Sequence, residues 1–176
     1  MKRHMVATAA AAALVCSGAQ AMELSSANVS NGAMLSTDQI KTGCGGKNIS
    51  PALSWSGAPP ATKSFAVTTF DPDAHGGWWH WVVVDIPASV QALPAGAGSG
   101  AGLPPGAVQG ENDFGDASYG GACPPPGSGQ HHYQFTVWAL PDASAPFSAA
   151  AKAEDVATYL KSHAIAHTDI VAVYER

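Results

Sequence analysis

The chain has 176 residues, of which 12% are charged and 46% hydrophobic, and a formal net charge of −5. That is the size of one ordinary domain, long enough to bury a core. The acidic balance excludes nucleic acid and anionic lipid as natural partners, because both need a basic face. No segment supplies the roughly 20 consecutive apolar residues of a membrane-spanning helix.

Lys2 and Arg3 open the chain, Met5 to Val15 is an apolar run, and Ala19-Gln20-Ala21 gives a small-x-small pattern. Together they predict a secretory signal over residues 1–21, cleaved after Ala21. Cys16 does not complete a lipoprotein signal, because bulky Val15 precedes it. The expectation is a single exported domain, 22–176, in the periplasm or secreted. Without Lys2 and Arg3, six Lys and Arg face thirteen Asp and Glu, a net of −7.

In chain order, Leu24 to Ser36 with its Asn31-Gly32 pair predicts an opening hairpin. Short strands follow at Ala52–Trp55 and Ser64–Phe70, the second ended by Asp71-Pro72-Asp73. Trp78–Ile86 has the strongest strand character, and Pro87 stops it. Leu93–Gly110, dense in Gly, Pro and Ala, reads as a long mobile loop, and 112–129 is a second Gly/Pro-rich stretch. His131–Leu140 alternates polar and apolar residues as a strand does. Ala150–Ser162 is a helix with Val156, Tyr159 and Leu160 on one stripe, and Asp169–Tyr174 is a closing strand. Many short strands and one late helix predict a mostly β fold, an antiparallel sandwich or partial barrel.

No Lys or Arg occurs from Ser64 to Ala151, although seven carboxylates do. An anion held by this stretch must be held by His75, His80, His131, His132, hydroxyls or backbone N–H groups. Asp71 lies two strand ends away from His80, and a carboxylate beside an imidazole fixes its tautomer and favours its charged form. On the strand from Trp78, strict alternation puts Trp78, His80 and Val82 on one face and Trp79, Trp81 and Val83 on the other. His131 and Tyr133 share a face two residues apart, and the Gly120–Cys123 turn before them offers amides for an anion nest. Outside the signal the chain has two cysteines, Cys44 and Cys123, which export would expose to oxidation. A disulfide is the expectation and two buried thiols the alternative.

The familiar catalytic signatures are missing: no G-x-S-x-G, no H-E-x-x-H, no phosphate loop. Ser128 stands close to His131 in sequence, which chance alone often produces, so no residue is assigned as catalytic.

D-P-D-A at Asp71–Ala74, W-x-H-W-V-V at Trp78–Val83 and G-G-x-C-P-P-x-G-x-x-H-x-Y from Gly120 to Tyr133 together resemble the phosphatidylethanolamine-binding protein family. The bacterial branch called YbhB/YbcL-like, or Raf kinase inhibitor-like, is the nearer likeness. It also covers Cys44–Pro51 with Trp55, and Gly106–Gly110 with Asn112–Gly115. The resemblance implies a large antiparallel sheet packed on a smaller one, with a C-terminal helix and a surface pocket for phosphate or phosphorylethanolamine. Carried over by position, the pocket uses Asp71, Asp73, Trp78, His80, Gly121, Cys123, Pro124, His131 and Tyr133. It implies a binding protein and not an enzyme, with no cofactor, no metal, and a possible protein partner of the kinase- or protease-inhibitor kind. Many relatives have proline where His75 stands, so the role of His75 stays open. Two alternatives use the same histidines, weak ester hydrolysis and metal binding through Asp73, His75, His80 and His131. In the anion-binding reading Asp71 orients His80, while His131, Tyr133 and the Gly121–Cys123 amides donate to the ligand.

Overall fold

The computed structural model describes residues 21–176. Apart from Ala21, the expected signal segment lies outside them. Strands β1 (Glu23–Ser25), β2 (Leu53–Ser56) and β5 (Ala92–Leu93) form a small antiparallel sheet in the order β1-β2-β5. Strands β3 (Ser64–Asp71), β4 (Trp78–Pro87), β6 (Val108–Gln109), β7 (His131–Leu140) and β8 (Ala166–Tyr174) form a larger one, in the order β6-β4-β3-β7-β8 and antiparallel throughout. One α-helix, α1 (Ala153–His163), precedes the last strand. The mostly β class, the two unequal sheets and the late helix are as expected from the sequence.

The large sheet is buried on both faces. Towards the small sheet, Phe65, Val67, Trp81, Val83, Phe135 and Val137 pack against Leu53, Trp55 and Leu93. On the opposite face Ala66, Val82, Val84 and Leu140 meet the stripe Ala153, Val156, Ala157 and Leu160 of α1. That i, i+3, i+4, i+7 spacing makes one apolar side of the helix, and Glu154 and Asp155 in its first turn, with Lys161 and His163 in its last, suit its dipole. Burial on both sides explains the runs of β-branched and aromatic residues in β3 and β4. Truncating a fully buried aromatic such as Trp81 should cost about 3–5 kcal/mol.

The strict alternation expected along β4 is broken by a bulge. Thr69 of β3 pairs with Trp81 and Phe70 with Trp79, so His80 has no partner residue across the strand pair. Trp79 accordingly joins Val82 and Val84 on the helix face, while Trp81 and Val83 enter the inter-sheet core. A bulge re-aims side chains locally, and here it reverses which residues share the face of His80. A second irregularity falls at Asp85, whose φ of 59° is stabilised by bonds from the Ala145 amide and the Ser144 hydroxyl to its carboxylate.

Two local expectations fail. Leu24–Ser36 is not a hairpin: β1 pairs with β2, and the Asn31-Gly32 turn docks on β8, with Gly32 N–H donating to Val171 O and Val171 N–H to Asn31 Oδ1. The stretch Leu93–Gly110 is not a loose loop either. Ala97 and Gly98 are buried in a 3-10 turn, and Gly98 N–H donates to Ser50 Oγ while its carbonyl accepts from Tyr119. A side chain at Gly98 would meet Tyr119 and Ser50, so small residues there mark close packing and not mobility.

Candidate functional site

A cavity of about 540 Å³ opens where the ends of β3, β4 and β7 converge. The end of β3 brings Asp71, Asp73, Ala74 and His75, and the start of β4 brings Trp78 and His80. The start of β7 adds His131 and Tyr133, and two loops close the walls with Phe114, Cys123, Pro124, Pro125 and Ser128. Antiparallel pairing makes this possible: Asp71 pairs with Trp78 and Phe70 with Gln134, so the two distant motifs meet at one end of the sheet. Eight of the nine predicted site residues line the cavity; Gly121 does not. Phe114, Pro125 and Ser128 were not assigned to the site from the sequence.

Asp71 is fully committed inside the protein. Its Oδ2 accepts from His131 Nδ1 at 2.7 Å, and its Oδ1 accepts the amides of Asp73 and Ala74, which shapes the turn. Both side chains are about 5% exposed, so the bond is sheltered from water. Asp71 therefore orients His131 and not His80. The other nitrogen of His131, Nε2, lies 3.0 Å from Ser128 Oγ, and that hydroxyl also reaches the Pro125 carbonyl at 2.8 Å. With both nitrogens engaged, His131 is not the free donor that the sequence reading made it.

His80 is held differently. Its Nδ1 lies 2.7 Å from the carbonyl oxygen of Gly120. A carbonyl only accepts, so Nδ1 carries the proton and Nε2 presents a lone pair whenever the ring is neutral. The ring is 2% exposed. Burial pushes its pKa down to about 4, against the opposing pull of the Gly120 carbonyl and of Asp71 and Asp113. His80 is thus neutral at ordinary pH. The expected attraction between a charged His80 and an anion is not available.

Three buried polar atoms of cavity-lining residues have no partner in the protein: His80 Nε2, Tyr133 Oη and Trp78 Nε1. Burial, and then the charge of Asp71, raise the Tyr133 pKa well above the ordinary phenol value, so its hydroxyl keeps its proton. Around them Phe114 contacts Trp78 and His80 edge to face, with ring centroids 5.2 and 5.5 Å apart, and Tyr133 contacts His80 at 5.2 Å. Phe114 fits there because Gly120 beside it has no side chain; a Cβ at 120 would come within 2.4 Å of the Phe114 ring.

The anion nest expected from the Gly120–Cys123 turn is not present. Gly120 N–H donates to the His80 carbonyl, Gly121 N–H to Asn48 Oδ1, and Ala122 N–H to the Gln39 carbonyl. Gly121 serves packing instead: a Cβ there would lie 2.4 Å from the Lys41 backbone nitrogen. Cys123 and Pro124 do line the cavity, and Cys123 is bonded to Cys44 across a sequence separation of 79, as expected.

At the rim, Asp73 Oδ2 accepts both the backbone N–H and the ring Nδ1 of His132, at 2.7 and 2.8 Å. Partial burial alone would raise the Asp73 pKa, but these bonds hold it below the usual carboxylate value. His75 is exposed and lines the opening. The stretch without Lys or Arg is also less isolated than its sequence implies. Lys41 Nζ sits 3.7 Å over the Phe114 ring, and Arg176 Nη1 lies 3.8 Å from Cys123 Sγ, with its carbonyl accepting from Gly127 N–H. Both cations come from outside Ser64–Ala151. Among the described residues no group of three His, Cys, Asp or Glu side chains converges as a metal site would require.

The fold agrees with comparisons to known proteins. A family model described as phosphatidylethanolamine-binding protein matches residues 25–175. The UPF0098 protein YbcL of Escherichia coli is 48% identical over 181 residues, covering 99% of both chains, and YbhB of the same organism is 42% identical over 158 residues, covering 87% of this chain and 99% of its own. The crystal structure of Escherichia coli YbcL superposes with a TM-score of 0.86 over 89% of this chain and 99% of that one. A putative lipoprotein, LppC of Mycobacterium tuberculosis, is 38% identical over 105 residues, 59% of this chain and 49% of its own. The chain belongs to the phosphatidylethanolamine-binding protein family.

Proposed function

We propose that the protein binds a small phosphate-type anion, phosphate or a phosphorylethanolamine-like group, in the cavity between Asp71 and Tyr133. The observation that carries this reading is the trio of unpartnered buried atoms on Trp78, His80 and Tyr133. Burying a polar group without a partner costs about 1–3 kcal/mol, and three clustered around one cavity are what a ligand would repay. The apolar walls from Phe114, Trp78 and the prolines suit the organic part of such a molecule, and the cavity falls within the usual size of small-molecule sites. The name of the family points to the same chemistry. The disulfide, the resemblance to a lipoprotein and the signal-like residues 1–21 support a place outside the cytoplasm.

Calorimetric titration with phosphorylethanolamine tests this. Saturable binding that weakens about tenfold in Tyr133→Phe is expected, and absence of heat at millimolar ligand would refute it.

A second reading has one observation in its favour. Ser128, His131 and Asp71 form a hydroxyl–imidazole–carboxylate chain at 3.0 and 2.7 Å, the order of a hydrolase relay. We hold to binding because the Ser128 hydroxyl has one proton and the Pro125 carbonyl competes for it. Ester turnover abolished by Ser128→Ala would reverse that choice.

A further inference from the structure

Building on the proposed anion site, we infer that the pocket selects a singly protonated phosphate or phosphomonoester, whose P–OH donates to His80 Nε2, over a phosphodiester or a fully ionised monoester.

The hydrogen-bond sense of each open group dictates this. Trp78 Nε1 can only donate. Tyr133 keeps its proton and donates as well. His80 Nε2 can only accept, because the Gly120 carbonyl holds the proton on Nδ1. The pocket therefore asks for at least two acceptors and one donor on the same ligand. A diester such as a phospholipid headgroup offers two free oxygens and no P–OH. A monoester dianion offers three acceptors, one of which would face the Nε2 lone pair. The monoanion of a monoester, or dihydrogen or monohydrogen phosphate, has both kinds of group on the phosphate itself, and the ammonium of an ethanolamine head group is the rival donor.

The charges around His80 point the same way. Asp71 from β3 and Asp113 from the loop after β6 act on the ring, and Asp73 stands at the rim. These carboxylates disfavour a second negative charge on the ligand. Lys41 over the Phe114 ring and Arg176 beside Cys123, at the edge of the cavity, provide the opposing attraction for the first.

The second ionisation of a phosphomonoester lies near pH 6. Affinity for phosphorylethanolamine should then fall roughly 100-fold between pH 5 and pH 8. The wild-type protein is titrated with inorganic phosphate, phosphorylethanolamine, a phosphonate analogue with a higher second pKa, a fluorinated phosphonate with a lower one, dimethyl phosphate and glycerophosphorylethanolamine. If the inference holds, for phosphorylethanolamine and the two phosphonates the pH at which affinity falls moves with the ligand's own second pKa. Inorganic phosphate, which keeps a P–OH above its second pKa, falls less, and both diesters bind at least tenfold more weakly at pH 5. A fall at one fixed pH for every ligand assigns it to a protein group and overturns the inference while leaving anion binding intact. Glycerophosphorylethanolamine binding as tightly as phosphorylethanolamine also overturns it, by showing that an ammonium or the bare diester satisfies His80. If no phosphate binds at any pH, the anion-site reading itself fails. His80→Gln supplies an independent arm: its amide can turn an N–H to the ligand, so the dependence on ligand protonation should flatten.

Discussion

The 2.7 Å bond from His80 Nδ1 to the Gly120 carbonyl and the 2.7 Å bond from His131 Nδ1 to Asp71 give two histidines of one pocket opposite tasks. The first histidine faces a neutral carbonyl in a buried setting and stays uncharged with a free acceptor. The second faces a carboxylate and has both nitrogens engaged. Site chemistry therefore falls to His80 with Trp78 and Tyr133, while His131 supports the wall.

Acid should destabilise the fold through His80. Its pKa is about 4 in the folded protein and 6.5 in the unfolded chain, so between those values the unfolded state binds more protons. The stability that neutral burial contributes is complete above pH 6.5 and is lost as pH falls towards 4. The loss from this group alone is about 3 kcal/mol. Urea unfolding at pH 4.5 and 7.5 should show a smaller difference in His80→Gln than in wild type.

Replacing Asp71 by Asn isolates its bond to His131, because the amide oxygen can still accept from the Asp73 and Ala74 amides. Breaking a buried pair in this way should cost about 3 kcal/mol. Ser128→Ala, at an exposed position, should cost under about 1 kcal/mol. Chemical denaturation of the two variants checks the ranking.

Tyr133→Phe removes a buried hydroxyl that has no partner in the protein. Its stability should match wild type within about 1 kcal/mol or exceed it, while affinity for phosphorylethanolamine falls about tenfold. Loss of stability without loss of affinity would mean the hydroxyl serves the fold.

Reducing the Cys44–Cys123 bridge opens a loop spanning a sequence separation of 79. The chain-entropy model gives a loss of about 4 kcal/mol, measurable as a lower urea midpoint in reductant or in Cys44→Ser.

The regular elements were legible because their signals are local. His131–Leu140 and the Val156, Leu160 stripe carry their own periodicity, and Asp71-Pro72 and Pro87 mark strand ends. Most residues lining the cavity were legible too, since the spaced motifs name them, but Phe114, Pro125 and Ser128 were not. The pairing within the site was not legible. Asp71 meets His131 across the β3–β7 pair and not His80 on β4, a choice of partner strand that neither motif records. The bulge at His80 that reverses the alternation of β4 leaves no mark on its composition. The amides of Gly120, Gly121 and Ala122 were spent on residues some 40–80 positions earlier, His80, Asn48 and Gln39. Lys41 and Arg176 reached the pocket from outside the stretch in which cations were sought. The asparagine–glycine pair at 31–32 has the signature of a hairpin, yet its turn found partners on β8, where the exposed edge of the large sheet needed them.

The most direct test of the central claim is the indole N–H spectrum of 15N-labelled protein titrated with inorganic phosphate at pH 6. Trp81 Nε1 donates to Gln109 and Trp138 Nε1 to Thr68, so these two report on the fold, while Trp78 Nε1, on a residue that lines the cavity, is buried without a partner. The account predicts a saturable shift of the Trp78 resonance with Trp81 and Trp138 unmoved, and a weaker apparent affinity in Tyr133→Phe. A Trp78 resonance that stays still at millimolar phosphate, or moves only together with the other two, would contradict it.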